Sequence, residues 1–213
     1  IGEEIVLWST SEFGFMTLSD AFTTSSSMMP QKKNPDVAEL VRGKAARLIG
    51  CVTSLLVLEK SLAFGYGRDL QEDKRPILDA FECSLVSLRA LAGALADATF
   101  HHERLARALA SGHLCATDLA DFLVTRGVPF REAHHIVGGL VREAETRGVE
   151  LRELSASLLV AAHPALEGSE LASALDPALA VERRSLLGGP ARSSVQGAIA
   201  EARARWRLPA AAP

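Results

Sequence analysis

"NPDVAELVRGKAARLIGCVTSLLVLEKSL", residues 34–62, decides the fold. Its apolar residues Val37, Leu40, Val41, Leu48, Ile49, Val52, Leu55, Leu56 and Leu62 recur at helical spacing for about seven turns, well beyond the three turns of an average helix. Asn34 suits the N-cap, Pro35 the first helical position, and Asp36 and Glu39 put negative charge in the opening turn, where the helix dipole favours it. A helix of this length buries its apolar stripe only against other helices, so the stretch predicts a bundle.

The periodicity extends in both directions. "FGYGRDLQEDKRP", residues 64–76, interrupts it, and Ile77, Leu78, Phe81, Leu85, Leu88, Leu91 and Leu95 then mark a second long helix. Two long helices joined by a short polar connection pack as antiparallel neighbours. Upstream, "EEIVLWSTSEF", residues 3–13, reads as the middle of an amphipathic helix with no cap before it. Because the first residue is Ile1, the chain is expected to be part of something longer. No stretch reads convincingly as a strand, and the expectation is an all-α protein.

Around "ALASGHLCATDLA" long helices give way to shorter ones punctuated by Gly and Pro, which places a boundary near Ser111. Residues 1–111 are expected to belong to a long-helix bundle and residues 112–213 to a small helical domain. In the latter, segments 116–126, 130–147 and 150–161 read as helices with Gly127, Pro129 and Gly148 as stop signals. Residues 164–190 read as loop-rich, 192–206 as a last helix, and "PAAAP" at 209–213 as a frayed tail.

Composition excludes several classes of function. The chain has 213 residues, 48% of them hydrophobic, with a formal net charge of -3, and Arg is scattered among Glu. It has no basic stripe of the kind nucleic acid or an anionic membrane would require. Runs such as Leu55–Leu58 are too short to span a bilayer. Cys51, Cys83 and Cys115 are odd in number and far apart, each in an apolar helical context, and read as buried free thiols of a reducing compartment, the cytoplasm. His101 and His102, like His134 and His135, are sequence neighbours about 100° apart on a helix and make poor metal pairs; no metal site is expected.

Ahead of the long helix stands "SSSMMPQKKNP", residues 25–35. Hydroxyls and lysines cluster in many solvated connections, so a polar loop is one reading. The order of groups supports another. Small residues ending in Lys and Asn at a helix start offer backbone N–H groups, an ammonium and a carboxamide to one anion. Beside fixed positive charge, a serine alkoxide is stabilised and a loop serine could take a proton.

These residues resemble the signature loop of the fumarase/aspartase superfamily, G-S-S-x-M-P-x-K-x-N-P, and "MPQKKNPD" is similar to its argininosuccinate lyase branch. The resemblance places the catalytic serine on Ser26, the lysine on Lys32 and the asparagine on Asn34, within a loop region of about 17–35. Ser25 stands where the family has glycine. Glu39 matches an acidic residue that pairs with a catalytic histidine. "YGRDLQEDK" resembles the branch's Y-N-K-D-L-Q-E-D-K segment, which implies substrate ligands at Tyr66, Gln71 and Lys74. "CATDLADFLVTRGVPFREAH", residues 115–134, resembles the C-terminal subdomain, with Cys115 in place of an alanine, and "GGPARSSV", residues 188–195, resembles the closing G-G-T-A segment.

The resemblance implies β-elimination of argininosuccinate to arginine and fumarate without a cofactor or metal, by a cytoplasmic homotetramer whose active sites combine segments of several subunits. Ser26 would take the proton while Lys32 and Asn34 hold the carboxylate on which charge develops. The family's histidine belongs to an upstream segment; none of this chain's six histidines occurs in a comparable motif, so the chain alone is expected to be inactive. Three other readings remain open: a lyase for another succinyl substrate such as adenylosuccinate, a non-catalytic structural relative, and an assembly fragment.

Overall fold

A computed structural model describes residues 1–207. The protein is all-α, and the chain divides into two compact units, Ile1–Leu105 and a second from Ala106 onward, a few residues before the boundary expected near Ser111. Among the described residues no helix is long and apolar enough to cross a membrane.

The first unit holds α1 (Gly2–Trp8), α2 (Asp36–Glu59) and α3 (Lys74–Ala96). The 24-residue α2 is about 36 Å long at 1.5 Å per residue. It runs antiparallel to α3: Arg47 Nε donates to Asp79 Oδ2 at 2.7 Å, and Ser54, Val57 and Leu58 line a groove with the earlier Glu72 and Arg75. The connection between them is a 3-10 turn, Arg68–Asp73, that passes straight into α3.

The expected helix start is corrected by one residue. Pro35 is the N-cap and α2 begins at Asp36. Asn34 is unavailable as a cap because its backbone lies in a strand. Four two-residue strands, which the sequence reading did not anticipate, form two antiparallel ladders: β1 (Met16–Thr17) with β4 (Thr99–Phe100), and β2 (Thr24–Ser25) with β3 (Lys33–Asn34).

A core of Ile5, Met16, Leu18, Ala38, Leu91 and Ala94 joins α1, α2, α3 and β1. Most of the periodic apolar residues lie outside it. Leu40, Ile49, Val52 and Leu56 of α2, and Leu78, Phe81 and Leu88 of α3, are each more than half exposed in the protomer. Their spacing predicted helices correctly, but the unit's own core leaves them exposed.

After α4 (His102–Leu109), the second unit is built on α5 (Ala116–Thr125) and α6 (Phe130–Arg147). Leu119, Leu123, Val137, Leu140 and Leu166 centre a dense core there. Gly127 and Gly148 follow α5 and α6 at φ +89° and +66°, left-handed conformations that glycine adopts without strain.

Segment 150–161 is two elements rather than one helix. Glu150 and Glu153 form a capping box around a 3-10 turn, Leu151–Glu153, and α7 (Ala156–Ala162) restarts behind the Ser155 cap. The stretch expected to be loop-rich contains a 3-10 turn at Pro164–Leu166, α8 (Leu171–Ala174) and α9 (Pro177–Glu182). The last helix, α10, spans Arg192–Trp206. The tail expected to fray, 209–213, lies outside the described residues. All three cysteines are buried free thiols.

Candidate functional site

The loop of residues 26–32 is closed at its base by the β2–β3 ladder, in which Thr24 pairs with Asn34 and Ser25 with Lys33. Two side-chain contacts reinforce this stem. The Thr24 hydroxyl donates to Asp36 in the first turn of α2, and Lys33 forms an ion pair with Asp20. Neither contact was anticipated from the sequence, because each joins residues 12 or more apart with no local pattern to mark them.

At the start of the loop, Ser26 Oγ accepts the backbone N–H groups of Met28 and Met29, both at 3.2 Å. A serine hydroxyl bonding the amides two and three residues ahead is a common local turn. Its electrostatic consequence is specific: two amide dipoles aimed at one oxygen favour negative charge on that oxygen, while the hydroxyl hydrogen stays free to point elsewhere. Ser26 is half-buried, Lys32 is exposed, and Asn34 is half-buried in β3. Glu39 is exposed on α2, with its backbone N–H bonded to the Pro35 carbonyl at 3.0 Å.

The second predicted cluster lies elsewhere. Tyr66 is 82% exposed between Gly65 and Gly67, and Gln71 is exposed on the 3-10 turn. Lys74, also exposed, opens α3, paired with Asp73 and donating to the Leu70 carbonyl at 3.4 Å. Glu72 and Arg75 stand beside Ser54, Val57 and Leu58 near the far end of α2. That level is 18 to 22 residues along the helix from Asp36, a separation of roughly 30 Å from the serine loop. The structure therefore brings Ser26, Lys32, Asn34 and Glu39 to one end of α2 and Tyr66, Gln71 and Lys74 to the other. No lysine side chain or short loop crosses that gap within one chain.

In the second unit, the buried Asp118 accepts bonds from Arg183 at 3.0 Å and from Arg184 at 2.8 and 3.1 Å. Burial pushes its carboxyl up, but the hydrogen bonds and charges of Arg184 and Arg183 outweigh it and hold the carboxyl below its ordinary value. This cluster joins α5 to α9 and the residues after it, and is fully occupied by its own ion pairs.

Comparison with known proteins matches both units. The family described as "Argininosuccinate lyase C-terminal" matches residues 113–182, and the one described as "Lyase" matches residues 1–50. An argininosuccinate lyase of Herpetosiphon aurantiacus is 52% identical over 196 residues, covering 92% of this chain and 42% of the relative. One from Roseiflexus castenholzii is 49% identical over 203 residues, covering 95% of this chain and 44% of the relative. The chain thus spans less than half the length of these curated relatives. Among solved structures, EDDS lyase in complex with formate aligns with a TM-score of 0.77 at 32% identity, over 97% of this chain and 42% of that one. A variant of EDDS lyase with bound fumarate aligns at 0.76.

Proposed function

Because the chain belongs to the argininosuccinate lyase family and carries the C-terminal part of its sequence, we propose that the complete protein cleaves argininosuccinate to arginine and fumarate. The observation that carries the chemical reading is the pair of amide N–H groups on Ser26 Oγ. They favour the alkoxide that a serine base requires. In this mechanism Ser26 takes a proton from the carbon next to a carboxylate of the succinyl group. The electrons left behind delocalise onto that carboxylate, whose added negative charge Lys32 and Asn34 stabilise. They then form the carbon–carbon double bond of fumarate as the carbon–nitrogen bond breaks, and the departing guanidino nitrogen of arginine takes up a proton. An acid from the upstream histidine segment of the family, supported by Glu39, supplies that proton. Tyr66, Gln71 and Lys74 bind the remaining carboxylates and fix orientation.

The separation of roughly 30 Å between the two clusters supports a site assembled from different subunits, since one protomer cannot close it. The apolar faces of α2 and α3 support the same reading. Nine large hydrophobic residues more than half exposed on two adjacent helices, Val57 and Val86 among them, are an interface surface, and a homotetramer built on these helices buries them. We assign residues 1–111 to the helical bundle and 112–213 to a small helical domain. The free buried cysteines suit the cytoplasm.

A substrate panel tests the proposal. The complete protein is expected to release fumarate from argininosuccinate and not from adenylosuccinate or aspartate. Release from adenylosuccinate instead would reassign the substrate, and no release from any of the three would overturn the enzymatic reading.

A further inference from the structure

The segment that leads into the serine loop is docked outside the loop, on α3. The 3-10 turn Asp20–Phe22 precedes β2, and the Phe22 ring lies against Gly93 in α3. A Cβ placed on Gly93 would stand 2.5 Å from Phe22 Cζ and 3.0 Å from Cε1. Such approaches are too close for any side chain at position 93 while the ring stays in place. Gly93 has no left-handed conformation to explain it, and a helix-interior glycine costs about 1 kcal/mol relative to alanine. The ring supplies the reason for the glycine. Nor can Phe22 retreat freely, because it packs against the Ile5, Met16 and Leu18 cluster. One helical turn after Gly93, Asp97 Oδ2 accepts the Ser19 hydroxyl at 3.1 Å, so both ends of the 3-10 turn dock on the same end of α3.

From this dock the chain leaves in extended conformation at Thr23, with φ -127° and ψ 157°, and enters β2 at once. Only Thr23, Thr24 and Ser25 separate Phe22 from Ser26, and the ladder to β3 fixes two of those three. We infer that the notch formed by Phe22 and Gly93 is a positioning site for the catalytic loop: it sets where β2 presents Ser26, leaving residues 26–32 to close about a fixed stem. Phe22 and Gly93 act through Ser26 and touch no substrate. The inference rests on the assignment of Ser26 proposed above.

The test uses the complete protein and two readouts. Gly93→Ala is expected to push the ring out, to lower kcat about tenfold or more with little change in KM, and to speed tryptic cleavage after Lys32 and Lys33; displacements of about 1 Å at a reacting group have effects of this size. Phe22→Leu combined with Gly93→Ala removes the far ring atoms that collide with the new Cβ. It is expected to restore most of kcat and slow the cleavage again. Wild-type kcat and cleavage in Gly93→Ala would overturn the inference, as would a loss that the double variant leaves unrepaired. If the wild-type protein does not turn over argininosuccinate, the functional reading fails, while the cleavage rates still decide whether the notch holds the loop.

Discussion

Sites shared between subunits would leave an arithmetic signature in mixed assemblies. Take two variants of the complete protein, Ser26→Ala and Lys74→Met, each expected to lose most of its turnover at subsaturating substrate. The structure puts these residues at opposite ends of a helix about 36 Å long, so each active site would take its serine loop from one subunit and its lysine from another. In tetramers assembled at random from equal amounts of the two variants, half the loops and half the lysines are intact, and about one quarter of sites combine both. Specific activity should therefore rise from the low level of either variant to about a quarter of wild type. A control uses the double variant mixed equally with wild type. Shared sites again predict about one quarter, whereas sites complete within one subunit predict about one half there and no recovery for the complementary pair. Fumarate absorbance on co-expressed protein, with subunit mixing verified by native mass spectrometry, gives the result. No recovery in verified mixed assemblies would refute the geometric reasoning.

Three further outcomes are expected. Lys74→Met in the complete protein should raise KM more than it lowers kcat, because Lys74 is assigned to a carboxylate remote from the bond cleaved; steady-state kinetics distinguish this from a slowed chemical step. Phe81→Glu, on the exposed face of α3, should shift the assembly toward smaller species in light scattering and abolish activity with them, since one charge at each symmetry-related copy of the interface is unpaired. Asp118→Asn should destabilise the second unit by about 2 kcal/mol, at the low end for a broken buried pair because the two arginines are partly exposed. Since the Asp118 carboxyl is held below its ordinary value of 3.8, its contribution is present above that pH and is lost as pH falls further. Thermal melts of the variant should show a weaker dependence on pH below about 4 than those of wild type.

The helices were legible in the sequence because their apolar spacing is local information. α2, α3, α5, α6 and α10 all stand close to where periodicity and the Gly and Pro signals placed them. What escaped is non-local. The β1–β4 ladder pairs Met16 with Phe100, and nothing near either residue marks the other. The β2–β3 ladder removes Asn34 from its expected capping role, and the Glu150–Glu153 box splits a segment that reads as one helix. Periodicity also marks Phe81 and Ile49 as apolar positions of a helical stripe without saying what covers them: both are exposed in this chain, so the stripe predicted the helices but not which part of it the unit's own core buries. At the candidate site, motif order placed every residue along the chain, but the sequence gives no hint that the two clusters lie at opposite ends of one helix. The amide contacts of Ser26 were legible in principle, since serine followed by small or flexible residues favours that turn. The notch at Gly93 was not, because a glycine inside a helical pattern carries no sign of the ring it accommodates.

The most direct test of the central claim is fumarate release, followed by ultraviolet absorbance, from argininosuccinate by the complete protein and by its Ser26→Ala variant, with substrate binding measured in parallel by calorimetry. The account predicts equal amounts of fumarate and arginine from the wild type, and turnover lowered by about two to four orders of magnitude in the variant with binding nearly unchanged. Turnover by Ser26→Ala at the wild-type rate would contradict it.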